Sequence, residues 1–197
     1  MSNGWYFSND VDRNDGGARI AVTQADTNRV YAYLIGEAKA NDNGYIGVYR
    51  SNDGGNSWIL PNGPDGGPYT ATHQNLAIGS VSWQYWQGYY NCAIMASNTN
   101  PDQLLIGGLN LWKSDDGGLT FSTIAGYAAT NGFDIHVDMQ DFRATGNEYW
   151  ITTDGGIFKS TDFFATEPLK KNNRRIQGFY KYIKTRMVEY NFNNVHS

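Results

Sequence analysis

The chain has 197 residues, enough for one domain or slightly more, with 23 glycines and 15% aromatic residues but only 17% charged residues, against a usual charged share of about 25%. That profile fits many tight turns between short aromatic strands and excludes long solvent-facing helices, and no stretch reaches the ~18 apolar residues of a membrane-spanning helix. The net charge of −4 is divided: residues 1–169 carry 8 basic and 18 acidic side chains, whereas residues 170–197 carry 7 basic side chains and Glu189 alone, so the body offers nucleic acid or an anionic membrane no attraction.

In chain order, residues 29–35 follow the turn composition Asp26-Thr27-Asn28 and are rich in β-branched and aromatic residues, which predicts a strand. A second strand ends at Val48-Tyr49-Arg50-Ser51 and runs into a turn over residues 51–58, with Gly54 and Gly55 at its tip and Trp58 opening a further strand. After a long segment the pattern returns. Residues 103–108 form a strand, Leu111-Trp112-Lys113-Ser114 the next, and the turn over residues 114–121 leads to another strand at 120–124. It returns a third time as residues 148–153, then Ile157-Phe158-Lys159-Ser160 and a turn over residues 160–164. The recurring aromatic-basic-Ser strand end, with Asp two residues after Ser, identifies one structural unit repeated at spacings of 63 and 46 residues between Asp53, Asp116 and Asp162.

The chemistry of the motif is conformational. Paired glycines allow the positive φ of a tight turn, and the Asp carboxylate accepts hydrogen bonds from the turn's own N–H and hydroxyl groups. Ser51, Asp53, Gly55 and Trp58, then Ser114, Asp116, Gly118 and Phe121, and finally Ser160 and Asp162 are therefore read as turn-locking residues. In the third copy Phe163 and Phe164 stand where glycines belong, and the expectation is a turn of another shape.

The pattern Ser-x-Asp-x-Gly-x-Ser/Thr-Trp/Phe resembles the Asp-box, or BNR repeat, of the β-propellers in sialidases, sortilin-type receptors, xyloglucanase-like glycoside hydrolases and a photosystem assembly factor. Over roughly residues 17–166 the chain is also similar to secreted bacterial Asp-box proteins labelled glycosyl-hydrolase-like or sortilin N-terminal-like. The resemblance implies an all-β fold of four-stranded antiparallel blades, with the motif on the rim. At 46–63 residues per repeat the chain holds about three to four blades, fewer than most propellers. The expectation is thus a partial propeller over residues 1–169, with residues 170–197 a basic tail or the start of a further blade. The remaining blades would belong to a longer parent chain. Residues 1–5 show neither the basic start nor the apolar run of a signal peptide, so an extracellular or cell-surface location is implied by the resemblance alone. The single Cys92 cannot form an internal disulfide.

Function must lie in what differs between copies. His136, Asp138 and Gln140 would share one face of a strand, with Asp141 on the turn beyond. That set offers weak catalytic candidates in Asp138 and Asp141, or two ligands for a divalent cation, although His and Asp at i, i+2 are a weak metal signal and no cofactor is assigned. Glycoside hydrolysis uses two carboxylates flanking the bond, and the catalytic pair cannot be identified in this chain. Residues 70–91 form the second candidate: Trp83, Trp86 and Tyr89 offer flat rings for sugar faces beside Gln84 and Gln87. The expected partner is a polysaccharide or an extracellular protein, bound by a scaffold, with a xyloglucanase-like hydrolase as the alternative. Sialidase is disfavoured, since between Arg50 and the basic tail there is only Arg143.

Overall fold

A computed structural model describes residues 17–36, 45–61, 75–77, 88 and 90–171. They form eleven strands and, among the described residues, no helix. The first sheet joins β1 (Gly17–Val22), β2 (Val30–Ile35) and β3 (Tyr45–Ser51), and a bridge between Arg50 and Ile59 marks the place of a fourth strand. The second has the order β4 (Ala93–Ala96), β5 (Leu104–Gly107), β6 (Leu111–Ser114) and β7 (Ser122–Ala125). The third runs β8 (Met139–Thr145), β9 (Glu148–Thr153), β10 (Gly156–Ser160) and β11 (Leu169–Lys171).

Every neighbouring pair is antiparallel, so each sheet is an up-and-down meander. The sheets meet through their first strands, β1 against β4 and β4 against β8. This is the blade arrangement of a partial β-propeller, with three blades among the described residues. The strand predicted around Ser57 to Leu60 is only the Arg50–Ile59 bridge. Lys170 and Lys171 lie in β11, so the third blade extends into the basic segment; residues 172–197 lie outside the described residues.

Strand alternation decides what fills the space between blades. Tyr31, Tyr33 and Ile35 of blade 1 share a core with Ile94, Ala96, Leu104, Ile106 and Trp112 of blade 2. The opposite side of blade 2, with Met95, Leu105 and Leu111, shares a second core with Met139, Phe142, Tyr149 and Phe158 of blade 3. Such close-packed apolar burial is worth roughly 25 cal/mol per Å². It is why strands buried on both sides, such as Leu104–Gly107, read as unbroken apolar runs.

At each Ser-Asp turn the Ser hydroxyl and the Asp carboxylate make the same core of hydrogen bonds. Ser51 Oγ donates to Asp53 Oδ1 at 2.7 Å and accepts from Gly55 N at 2.8 Å, while Ser57 N and Ser57 Oγ donate to the two oxygens of Asp53 at 2.8 and 2.5 Å. Ser114, Asp116, Gly118 and Thr120 repeat it. The third turn repeats its hydroxyl bonds and the N–H bond to the Ser oxygen, although the N–H on Asp162 Oδ1 there comes from Ala165, one residue earlier, at 3.2 Å. Ser160 Oγ donates to Asp162 Oδ1 at 2.8 Å, Phe164 N donates to Ser160 Oγ at 2.8 Å, and Thr166 Oγ1 donates to Asp162 Oδ2 at 2.5 Å.

The expectation of a differently shaped third turn is therefore wrong. Phe163 and Phe164 adopt φ of 53° and 57°, where Gly54 and Gly55 have 71° and 95° and Gly117 and Gly118 have 71° and 89°. A side chain in this region costs on the order of 1–2 kcal/mol per residue. Burial offsets it: both phenyl rings are inside the core between blades 2 and 3, and Phe163 meets the Tyr149 ring edge-on at 4.8 Å.

The turns also join blades. Arg50 Nη1 donates to the Gly117 carbonyl at 3.0 Å, and Lys113 Nζ lies 5.9 Å from the centre of the Phe163 ring. Gly117 and Phe163 each stand three residues after the turn Ser, so the basic residue of one blade reaches the same position on the next blade's turn.

Two outcomes follow from these turns. Phe164→Ala is expected to lower stability by about 3 kcal/mol through lost burial. Phe164→Gly loses the same ring but relieves the positive φ, so it should be less harmful by about 1 kcal/mol; urea midpoints in the usual order, Ala above Gly, would refute this. The second outcome concerns pH. Hydrogen bonds from the Ser57 hydroxyl, the Ser57 N–H and the Ser51 hydroxyl hold the Asp53 carboxyl down at about 2. Its contribution to stability is present above the unfolded value of about 3.9 and is lost as pH falls through about 2. Asp53→Asn should flatten the stability profile in that window, as measured by thermal unfolding across pH 2–5.

Candidate functional site

Strand direction divides the propeller into two ends. First and third strands run toward the Ser-Asp turns. The opposite end collects the starts of the first strands, the connections between second and third strands, and the chain that links blades. On this second end lie Asn91 just before β4, Asp138 just before β8, Gln140 within β8, and Asp154 in the β9–β10 connection.

These residues form one network. Asn91 Nδ2 donates to Asp138 Oδ1 at 2.8 Å, and Gln140 Nε2 donates to Asn91 Oδ1 at 3.2 Å and Asp154 Oδ1 at 3.0 Å. The Tyr90 hydroxyl donates to Asp154 Oδ1 at 3.3 Å. Asn91 is 2% exposed and anchors the cluster, while Asp138 and Gln140 are half-buried and Asp154 is exposed. The result is a buried amide beneath an accessible rim of two carboxylates, an amide and a phenol. Such a rim can exchange hydrogen bonds with hydroxyl groups in both directions.

The backbone explains the aim of these side chains and corrects the sequence reading. Residues 136–138 are not strand. Asp138 has φ of 64°, and β8 begins at Met139 with a register shift between Met139 and Asp141. A bulge of this kind re-aims neighbouring side chains. Gln140 turns into the network, and Asp141, expected on a turn, lies on the strand and pairs with Arg143 at 3.0 Å. His136 does not share a face with Asp138 and Gln140: it is exposed, its Nδ1 lies 3.0 Å from the Val137 carbonyl, and its Cβ sits where a Cβ on Gly155 would be.

Of the sequence candidates, then, Asp138 is in the network, Asp141 faces elsewhere, and His136 stands apart. Trp83, Trp86 and Tyr89 lie outside the described residues. Among the described residues no three His, Cys, Asp or Glu side chains are grouped to hold a metal ion. Asn91, which donates to Asp138, and Asp154, which accepts from Gln140, are not legible as partners in the sequence, because 47 and 14 residues of chain separate the members of these pairs. The Asp154-Gly155-Gly156 triplet was a legible signal for a hairpin end, although not for its neighbours. Cys92, next to Asn91, is buried, and burial pushes its thiol up to about 11, so it is not a ready nucleophile.

Asn91→Ala should leave the Asp138 carboxylate and the Gln140 amide short of a partner in a half-buried site. The expected cost is about 1–3 kcal/mol, read from urea unfolding; an unchanged midpoint would show that the network contributes nothing.

No protein-family model matches the chain, and no curated protein matches it. Among solved structures it is similar to YCF48 bound to a D1 peptide, at 16% identity and a TM-score of 0.41, with 81% of this chain and 44% of that chain covered. It is similar to YCF48 from Cyanidioschyzon merolae at 16% identity and a TM-score of 0.38, covering 80% and 36%. It is also similar to the GH74 enzyme of Niastella koreensis at 15% identity and a TM-score of 0.35, covering 78% and 24%. The chain spans less than half the length of each of these structures.

Proposed function

We propose that the chain is part of an extracellular Asp-box β-propeller that serves as a carbohydrate- or protein-binding scaffold, with the ligand taken at the end opposite the Ser-Asp turns. The observation that carries this is the division of labour between the two ends. One end repeats the same turn lock three times, and its aspartates are consumed by their own backbone. The other holds the unrepeated network of Tyr90, Asn91, Asp138, Gln140 and Asp154. The chain between blades 1 and 2 contributes Trp83, Trp86 and Tyr89 by sequence next to Tyr90 and Asn91. Aromatic rings for sugar faces beside amides and carboxylates for sugar hydroxyls favour a neutral polysaccharide over a protein as the ligand.

The hydrolase alternative has one feature in its favour, two carboxylates on the network. If the propeller cleaves glycosidic bonds, the pair is Asp138 with Asp154, because Asp141 is turned toward Arg143.

Affinity electrophoresis against a panel of plant and marine polysaccharides tests the reading. Gln140→Ala and Trp86→Ala are expected to weaken retention at least tenfold, while Asp53→Ala, at the opposite end, leaves it unchanged. Retention insensitive to the first two sinks the proposal. Reducing-end release that disappears in Asp138→Asn and Asp154→Asn would favour the hydrolase instead.

A further inference from the structure

The side chains at the end opposite the Ser-Asp turns include donors and acceptors, but the donors are spent inward. Three acceptors surround Gln140 Nε2: Asn91 Oδ1 at 3.2 Å, the Asp138 carbonyl at 3.3 Å and Asp154 Oδ1 at 3.0 Å. They fix which end of this amide is nitrogen and take up both of its hydrogens. Asn91 Nδ2 donates to Asp138 Oδ1, and the Tyr90 hydroxyl donates to Asp154 Oδ1. What the network leaves over is acceptors. Asp138 Oδ2, Asp154 Oδ2 and Gln140 Oε1 have no partner among the described residues.

A second observation concerns charge. Asp102 is neutralised by Arg29, Asp141 by Arg143 and Glu148 by Lys159. Neither Asp138 nor Asp154 is paired with a Lys or Arg among the described residues. With 18 acidic and 8 basic side chains over residues 1–169, the surroundings add to the negative field at this end. A ligand group that brings only acceptors, or further negative charge, finds nothing to bond here. A hydroxyl fits, since it donates to a carboxylate in a charge-assisted bond and brings no charge of its own. An ammonium group would answer the charge. The acceptors, however, are spread over three side chains, one of them an uncharged amide, which suits several hydroxyls better than one compact cation.

We propose that this site takes its sugar as a hydrogen-bond donor. It binds a neutral glycan through at least two free hydroxyl groups, one given to Asp138 and one to Asp154 or the Gln140 carbonyl. It rejects chains whose hydroxyls are acylated or that carry carboxylate groups. This inference rests on the reading that the ligand binds at this end.

Affinity electrophoresis in galactomannan, arabinoxylan and hydroxyethyl cellulose tests it, each polymer run beside its own O-acetylated and carboxymethylated forms, with chitosan as the cationic polymer. The full chain is expected to be retained by at least one neutral polymer, and at least tenfold more weakly by the acetylated and carboxymethylated forms of that polymer. Asp154→Asn keeps an oxygen for Gln140 and Tyr90 but turns the outward acceptor into a donor, at an exposed position. It should cut the discrimination against the carboxymethylated form at least threefold, with thermal unfolding unchanged. Equal retention by modified and unmodified polymer overturns the proposal, as does retention by chitosan alone or by no polymer. Retention that responds to Gln140→Ala but ignores modification of the hydroxyls removes the donor requirement and leaves the binding end standing. Retention indifferent to Gln140→Ala removes both.

Discussion

The hydrogen-bonded Ser-Asp turn is the constraint from which most of this architecture follows. One hydroxyl donates to a carboxylate two residues on and accepts from an N–H four residues on, while the carboxylate closes the turn from the other side. With these groups satisfied internally, the chain reverses in a fixed geometry and the basic residue just before Ser is held at the blade's end. Arg50 and Lys113 are thereby delivered to the next blade's turn. A local motif sets the joint between neighbours, and apolar packing fills the space behind it.

The third turn separates what the motif needs from what it usually contains. Its hydrogen bonds persist without glycine. The required feature is the positive φ at two consecutive residues, and glycine is the least costly way to reach it. Phe163 and Phe164 reach it because their rings are buried between blades 2 and 3. In Asp162 itself, burial works to raise the pKa, but hydrogen bonds from the Thr166 and Ser160 hydroxyls and the Ala165 N–H hold it below the usual carboxylate value. The carboxylate therefore stays charged and accepting, as in the first two turns, and the local electrostatics survive the change of residue.

The two ends of the propeller serve opposite demands. At the turn end the copies look alike, since all three close through the same bond between the Ser hydroxyl and the Asp carboxylate. At the other end the chain is free to vary, and there Asp138 departs from regular strand geometry and the β8 bulge turns Gln140 inward. The two lateral sides differ as well. Blade 1 leaves Ile20 and Val22 in solvent, while blade 3 presents Arg143, Asp141 and the Lys159–Glu148 pair.

The sequence by itself determined the all-β class, the repeat and the locking role of Asp53, Asp116 and Asp162. Each rests on contacts within a few residues, where strand alternation and turn chemistry are written directly in the chain. It misjudged the third turn, because the strain of two left-handed phenylalanines is offset by Tyr149 and by core residues far along the chain. It also placed His136, Asp138 and Gln140 on one strand face, since nothing local announces a bulge. Only the tertiary structure decided that Asp138 joins Asn91, Gln140 and Asp154 while Asp141 turns away. The physical reason is that the network is assembled across two blades, from side chains whose proximity is set by how sheets pack and not by their spacing in the chain.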